Sequence, residues 1–508
     1  MTRGPLLALA CALSAAPLTC QEGQELGGLS LKDGRFLVGK PIERSAKGII
    51  VHFLNGDVEV PEHLIRDYFS SSPTFDYRPE NDQERARLAR GMVPFNGRWM
   101  KRTEAAKQVQ KIQSRLRQRI ESQKAHKLWR NRYKVQSRNF TFEHNLPEEL
   151  FSDLRELLEA YWSVFMKKWN LRPRSKTRPT VYLYADEQDY YQISGADRGD
   201  VGFYNPRTTA LHFYWDRNDP RFTMSTLLHE TTHLLVDLVT KNFAYPTWLE
   251  ESMAEYFGAS RWRPKAKDKN QRLTTGQVQP GRLVVVKRDI RKGKWLGIRD
   301  MMKAKEFTAT NYAWGWTFVH FLMSSKYAKK FETFYLDLAH RKRGVRRVEV
   351  GGRKNEVPVE EQERLLLRYL RVKSMAVLEK QWHEHIERLE VDSLEAMEEA
   401  GQFLRIFGQF DQAKKLFAKA VSMGAKLPQT YASYASLLDG PDEINQALAM
   451  IDRAIELDPL EPEHYYSKAK ILIRKKELKS DREAKRLFNL AAEIDPENLV
   501  YQAFAQNW

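Results

Sequence analysis

The chain has 508 residues, 42% hydrophobic and 29% charged, with a net charge of +17. That length exceeds one ordinary hydrophobic core, and the composition excludes a disordered or fibrous chain, so several globular domains are expected. The basic excess suits anionic partners, but no nucleic-acid motif accompanies it, and a solvated basic surface explains it more simply.

The N-terminus opens with Arg3, an apolar run LLALACALSAA and then the polar stretch PLTCQEGQE. This order describes a secretory signal peptide over residues 1–20, so the chain is expected to be exported, periplasmic or extracellular. The run is too short to stay in a bilayer, and no later segment reaches ~18 consecutive apolar residues, so no transmembrane helix is expected. The two cysteines, Cys11 and Cys20, lie in or beside this segment, and Cys20 is the one position for an N-terminal lipid anchor. The remaining chain has no disulfide and no thiolate, so any metal must be held by histidine and carboxylate.

Residues 24–75 carry turn signals at Asp33-Gly34 and Asn55-Gly56, flanked by short alternating runs. They predict a small β-barrel of SH3-like size. Residues 76–138 form a basic connector. Its stretch 101–138 holds only Glu104 and Glu121 as acids and lacks Pro and Gly, which predicts one long helix. It is either an arm for an anionic polymer or, more simply, an exposed connecting helix.

From 139 to 392 the pattern is α+β. A helix is expected over 146–169, a strand over 180–184 (TVYLY) and a hairpin over 201–215 around Asn205-Pro206. Helices are expected over 310–325 and 361–390. From 393 to 508 the chain reads as helical throughout, with FDQAKKLFAKAVSMGAKLP, INQALAMIDRAIELDPLEP and REAKRLFNLAAEIDPENL sharing one phrasing. Small alanines at packing positions and a proline after the second helix resemble tetratricopeptide repeats, which implies helical hairpins and a surface for a protein partner.

The stretch LLHETTHLLVDL carries His229, Glu230 and His233 in the form H-E-x-x-H. On a helix, positions i and i+4 share a face, so both imidazoles can point at one ion and Glu230 can reach a water beside it. Zinc suits such donors. Downstream, Glu251 and Glu255 are also four apart. Glu251 can complete the coordination, and Glu255 can accept a hydrogen bond from a ligating histidine and fix its ring. Glu250 is the competing ligand. The plain alternative is a helix with two incidental histidines, but Leu227, Leu228, Leu234 and Leu235 make burial expected, and a buried unpartnered Glu230 would be costly. Trp382-His383-Glu384-His385 has its histidines two apart, on different helix faces, and is read as surface.

H-E-x-x-H followed by Trp248-Leu249-Glu250-Glu251-Ser252-Met253-Ala254-Glu255 resembles the gluzincin metallopeptidases, which include the thermolysin-like enzymes and a group of aminopeptidases. It is most similar to the peptidase-MA-like group of secreted bacterial proteins, with Ser252 where that group usually has glycine. The resemblance implies Zn²⁺ held by His229, His233 and Glu251, with Glu230 as general base and later general acid. It also implies an edge strand that pairs with the substrate backbone, for which Thr209–Trp215 is the candidate, and an oxyanion donor, for which Tyr312 is the candidate. Trp314, Trp316 and Phe318 are read as core aromatics.

The expected fold is therefore α+β and multidomain: a small N-terminal β-barrel, a zincin-like metallopeptidase domain and C-terminal tetratricopeptide-like helical repeats. The expected function is hydrolysis of a peptide or protein substrate. A catalytically silent scaffold that binds protein partners through its repeats is the alternative.

Overall fold

The computed structural model describes residues 26–70, 79–95, 98–173, 178–217, 219–240, 245–268, 271–339, 348–350 and 353–508. The expected signal peptide, with Cys11 and Cys20, lies outside the described residues. The chain divides into two compact units, Met1–Leu116 and Arg117–Trp508.

In the first unit, β1 (Leu26–Leu31), β2 (Phe36–Arg44), β3 (Gly48–Phe53), β4 (Gly56–Pro61) and β5 (Ile65–Ser70) form one antiparallel sheet in the order β4-β3-β2-β1-β5. Alternation buries Ile49, Val51, Phe53, Val58 and Val60 on one face. Gly34 and Gly56 take positive φ at the two predicted turns. The expected closed barrel is not found. β5 pairs with β1, Leu29 opposite Tyr68, while β4 pairs only with β3, so both remain edges. Closure needs the outermost strands to pair, and here a 3-10 turn at Glu62–Leu64 carries the chain away from β4. α1 (Asp82–Ala89) and the hairpin of β6 (Met92–Phe95) and β7 (Arg98–Lys101) follow.

α2 (Arg102–Lys127) carries the chain into the second unit. The helix expected to run to 138 stops at Lys127. A 3-10 turn at Trp129–Asn131 leads into β8 (Tyr133–Gln136), where Tyr133 and Val135 alternate inward against exposed Lys134 and Gln136. Alternation of period two outweighs helix propensity in this short stretch.

β8 joins β9 (Thr141–His144), β10 (Thr180–Tyr184), β11 (Gly202–Asn205) and β12 (Ala210–Tyr214) in a sheet ordered β11-β12-β10-β9-β8. β10 runs parallel to β9 and β12, and the two edge strands are antiparallel. α3 (Glu148–Trp169) buries Phe151, Leu154, Leu157, Leu158, Tyr161 and Phe165, the stripe of a helix with one face in the core. Asn170, in the left-handed region, ends it. α4 (Glu187–Ser194), α5 (Pro220–Thr240) and α6 (Thr247–Gly258) come next, then the short pair β13 (Arg261–Trp262) and β14 (Leu273–Thr274). α7 (Pro280–Arg291), α8 (Ile298–Lys303), α9 (Ala309–Ser324) and α10 (Ala328–Ala339) follow. α9 is buried from Ala313 to Met323, so Trp314, Trp316 and Phe318 lie in the core.

β15 (Val348–Val350) and β16 (Arg353–Glu356) precede α11 (Val359–Leu370) and α12 (Met375–Arg388). The single helix expected over 361–390 is two, because Arg371 turns left-handed and Ser374 caps the second. The cluster read as surface is half-buried, with Trp382 wholly inside. Trp382 is fully buried and donates its indole N–H to Thr317 Oγ1 at 3.2 Å, while His385 meets His320 at 2.9 Å. α12 packs against buried α9, so an i, i+2 pair can both meet protein.

α13 (Leu394–Ile406) with α14 (Phe410–Ser422), α15 (Pro428–Leu437) with α16 (Ile444–Leu457) and α17 (Pro462–Ile473) with α18 (Leu478–Ile494) form three hairpins, closed by α19 (Leu499–Asn507). Their first helices begin at Leu394, Pro428 and Pro462, 34 residues apart each time. That is the tetratricopeptide period, and these hairpins resemble such repeats. They lie in the same compact unit as the α+β region, although the sequence pattern changes at 392/393. No helix among the described residues is long and apolar enough to cross a membrane.

Candidate metal centre

Two helices build the site. α5 starts at Pro220, preset for a first helical turn, and Phe222 N–H donates to Asp219 Oδ1 at 3.0 Å. Its Thr231 and Thr232 satisfy their hydroxyls on carbonyls one turn back, and Tyr161 reaches Thr232 at 2.6 Å. Those bonds fix the rotation of the helix, so His229 and His233 leave it on one side. α6 lies close by. A Cβ on Gly258 would stand 3.1 Å from Ser225 O, so only glycine allows this approach without a shift.

The ring atoms His229 Nε2 and His233 Nε2 stand 3.1 Å apart. Glu251 Oε2 is 3.3 Å from the first and 3.7 Å from the second. Two nitrogens and one carboxylate oxygen thus converge, all within 4.8 Å of one another. Tetrahedral ligands at zinc bond lengths lie about 3.3 Å apart, so this donor set fits that ion in both spacing and chemistry.

The outer nitrogens of the same rings also face carboxylates. Glu255 Oε1 lies 3.3 Å from His229 Nδ1, and Glu250 Oε1 lies 3.4 Å from His233 Nδ1. Glu250, weighed from the sequence as a ligand, stands on the outer nitrogen and not among the converging atoms. Arg282, from the first turn of α7, donates two hydrogen bonds to Glu255, Nε to Oε2 at 2.9 Å and Nη2 to Oε1 at 2.8 Å. Its guanidinium also stacks over Tyr312 and Phe403, 5.2 and 5.0 Å from the ring centres.

The electrostatics favour positive charge between the rings. Burial pulls the His229 pKa down, but Glu251, Glu255 and Glu230 outweigh it and hold the ring at about 9. His233 is likewise raised, burial being overcome by Glu250 and Glu251. For Glu255, burial is offset by Arg282 and His229, leaving the carboxyl at about 2.

Glu230 takes a hydrogen bond from the backbone N–H of Tyr204 at 3.0 Å. Tyr204 sits on β11, one of the two edge strands of the sheet. The sequence-level candidate for that edge, Thr209–Trp215, forms β12, which is enclosed between β11 and β10. A hairpin places its second strand inside whenever that strand pairs onward with a parallel neighbour. Tyr312, at the start of α9, has its ring centre 6.1 Å from that of His229. Burial and the charges of Glu251 and Glu255 keep its hydroxyl protonated above the usual tyrosine range.

Ser252, where the pattern it resembles usually has glycine, is fully buried against α9. A Cβ on Gly315 would overlap its hydroxyl, so the glycine that makes room stands on the opposite helix. Sequence reasoning missed Arg282 and Tyr204. Arg282 is 27 residues from its partner on another helix, and Tyr204 contributes only a backbone N–H. Neither leaves a spacing signal.

Residues 223–343 match the model of a family described as "Protein of unknown function (DUF1570)". That segment holds every residue of the converging set. A comparison with curated proteins finds no match. Among solved structures, "MamA RS-1 ArsTM double mutant" is similar at 19% identity and a TM-score of 0.21, covering 28% of this chain and 78% of that one. "Crystal structure of YrrB: a TPR protein with an unusual peptide-binding site" is similar at 12% identity and a TM-score of 0.23, covering 38% and 82%.

Proposed function

We propose that this chain is a zinc-dependent, gluzincin-like peptidase acting after export from the cytoplasm. The observation that carries the reading is the convergence of His229 Nε2, His233 Nε2 and Glu251 Oε2, with Glu230 directed by Tyr204 beside them. When bound there, zinc would act as a Lewis acid toward the substrate carbonyl and an attacking water. Glu230 takes the proton of that water and delivers it to the leaving amine. Tyr312 keeps its proton at working pH and offers its O–H to the developing oxyanion. The edge strand β11 lays the substrate backbone across the cleft by strand addition. Glu255 and Glu250 hold the imidazoles in orientation and act through them.

A second reading asks less of the site: a metallopeptidase-like scaffold that binds a protein partner through its repeats. The three hairpins at 34-residue spacing favour it, since such stacks present extended binding surfaces. Nothing among the comparisons assigns proteolysis. The basic helix α2 is a further candidate contact for an anionic polymer, and that contact would weaken steeply with salt.

Metal content by elemental mass spectrometry separates the readings first. The peptidase reading expects about one zinc per chain, lost in His233→Ala, and peptide cleavage that disappears in Glu230→Gln. Zinc without cleavage leaves the scaffold. No zinc, and no uptake on addition, removes the peptidase.

A further inference from the structure

A cleft of about 570 Å³ opens from His229, Glu230 and Tyr312, and its far wall is α13 with the start of α15, the first helices of the first two hairpins. That is the volume of an ordinary small-ligand or peptide-side-chain site. α7 lies directly against α13 there, because a Cβ on Gly281 would overlap the Phe403 ring. The repeats therefore shape the cleft beside the candidate metal centre.

The charge of this wall opposes that of the whole chain. Seven carboxylates line the cleft against three guanidinium groups. The three guanidinium groups pair with three of them. Arg282 is paired with Glu255. Arg221 and Arg261 share Glu395 and Glu399, with contacts of 2.8 Å from Arg221 to Glu395 and 2.6 Å from Arg261 to Glu399. Glu398, like Asp200 and Asp219, stands outside this pairing, and it is the one of the three that lies on α13. It is 6% exposed, and its one hydrogen bond among the described residues comes from Thr430 Oγ1, 3.0 Å from Oε1. No cation stands within ion-pair distance of it among the described residues. A buried carboxylate in that state carries a desolvation cost that a positive ligand would offset.

A second, independent observation lies on the same wall. Gln279 caps α7, is 8% exposed, and makes no side-chain capping bond. Its carboxamide oxygen has no hydrogen-bond partner among the described residues. The Trp262 indole N–H, also on the cleft, has none among them either. Buried polar atoms in folded proteins are nearly always paired, so these mark where a ligand's own donors and acceptor fit. Phe403, Phe407 and Leu427 supply apolar surface for the stem of a long side chain.

We infer that α13 and the start of α15 are part of the substrate cleft, and that Glu398, with the Gln279 carboxamide, selects a peptide presenting an arginine side chain. This rests on the peptidase reading for turnover but not for binding. Arginine fits better than lysine, because a planar guanidinium supplies several donors to separated acceptors at once.

The test uses the zinc-loaded full chain and two degenerate peptide libraries, one with a fixed arginine, the other with citrulline, its neutral isostere, at the same position. Cleavage and fluorescence-anisotropy binding are both measured, the latter on Glu230→Gln. The expected preference for arginine is about tenfold or more. In Glu398→Gln, which keeps an acceptor for Thr430 and removes the charge, the ratio falls to about one. Cleavage without arginine preference, or a preference that survives Glu398→Gln, overturns the inference and leaves the peptidase reading standing. Preferential binding of the arginine library with no cleavage of either does the reverse. Neither binding nor cleavage overturns both.

Discussion

Glu255 and Glu250 make nearly the same contact with their histidines, 3.3 and 3.4 Å, but in different surroundings. The Glu255 side chain is 6% exposed and locked by Arg282, whereas that of Glu250 is 35% exposed. A carboxylate behind a metal-ligating histidine contributes by fixing the ring and raising its basicity, typically about 10–100-fold in metal affinity. That range corresponds to about 1.4–2.8 kcal/mol. Glu255→Gln should therefore raise the zinc Kd by about 10–100-fold, while Glu250→Gln, screened by solvent and free to move, should raise it less than tenfold. Competition with a chromophoric chelator at constant pH reads both. Because Glu255→Gln also strips Arg282 of its buried partner, unfolding in a chelator must be measured beside it. Breaking such a pair costs about 3–5 kcal/mol. The double variant Glu255→Gln/Arg282→Met should recover much of that stability and none of the zinc affinity. Equal loss of affinity in the two single variants would refute the orienting role, and so would recovery of affinity in the double variant.

Protons compete with metal at this site. With His229 at about 9 in the metal-free chain, zinc uptake at pH 7 must release protons, and apparent affinity should rise with pH up to about 9; calorimetry in buffers of different ionisation enthalpy checks this. The same raised value means that His229 contributes stability to the metal-free chain that is full below about 6.5 and is lost as pH rises through about 9, visible in urea midpoints taken with chelator. His144 behaves oppositely. Burial lowers it to about 4, and its ring stacks on Phe151 at 3.6 Å. Its contribution is complete above about 6.5 and falls as pH drops toward 4, by at most about 3 kcal/mol. His144→Phe should flatten that part of the acid limb in a pH series of urea midpoints, and an unchanged limb would argue against it. Gly315→Ala should destabilise by about 1–3 kcal/mol through overlap with Ser252, and Ser252→Gly should restore most of the loss, read by thermal unfolding of the single and double variants.

Whatever depends on spacing along one helix was legible in the sequence. His229 and His233 converge because they are four apart on α5, and Glu251 and Glu255 share a face of α6 for the same reason. Strand β10 and the hairpin of β11 and β12 followed from alternation and a turn signal. The 34-residue period of the hairpins was visible only as a shared phrasing, since packing and not identity repeats. What could not be read depends on strands or helices meeting. Barrel closure is a question of whether β4 meets β5, and no residue states it. The edge strand beside Glu230 is β11 because β12 pairs onward with β10. His385 meets His320 because α12 lies on α9.

The same division runs through the site itself. The atoms that would grasp an ion lie on two neighbouring helices and are written as short motifs. The groups that would set how tightly, and for which substrate, arrive from α7, β11 and α13, up to 170 residues away. An intact H-E-x-x-H therefore specifies donors without specifying affinity or turnover. A chain could keep His229, Glu230, His233 and Glu251 and still lose tight binding through Arg282, because Glu255 would then need to hold a buried charge alone. Arg282 is for that reason a sharper marker of a working centre than the motif: its replacement leaves every ligand in place, and zinc affinity then reports the support and not the ligands.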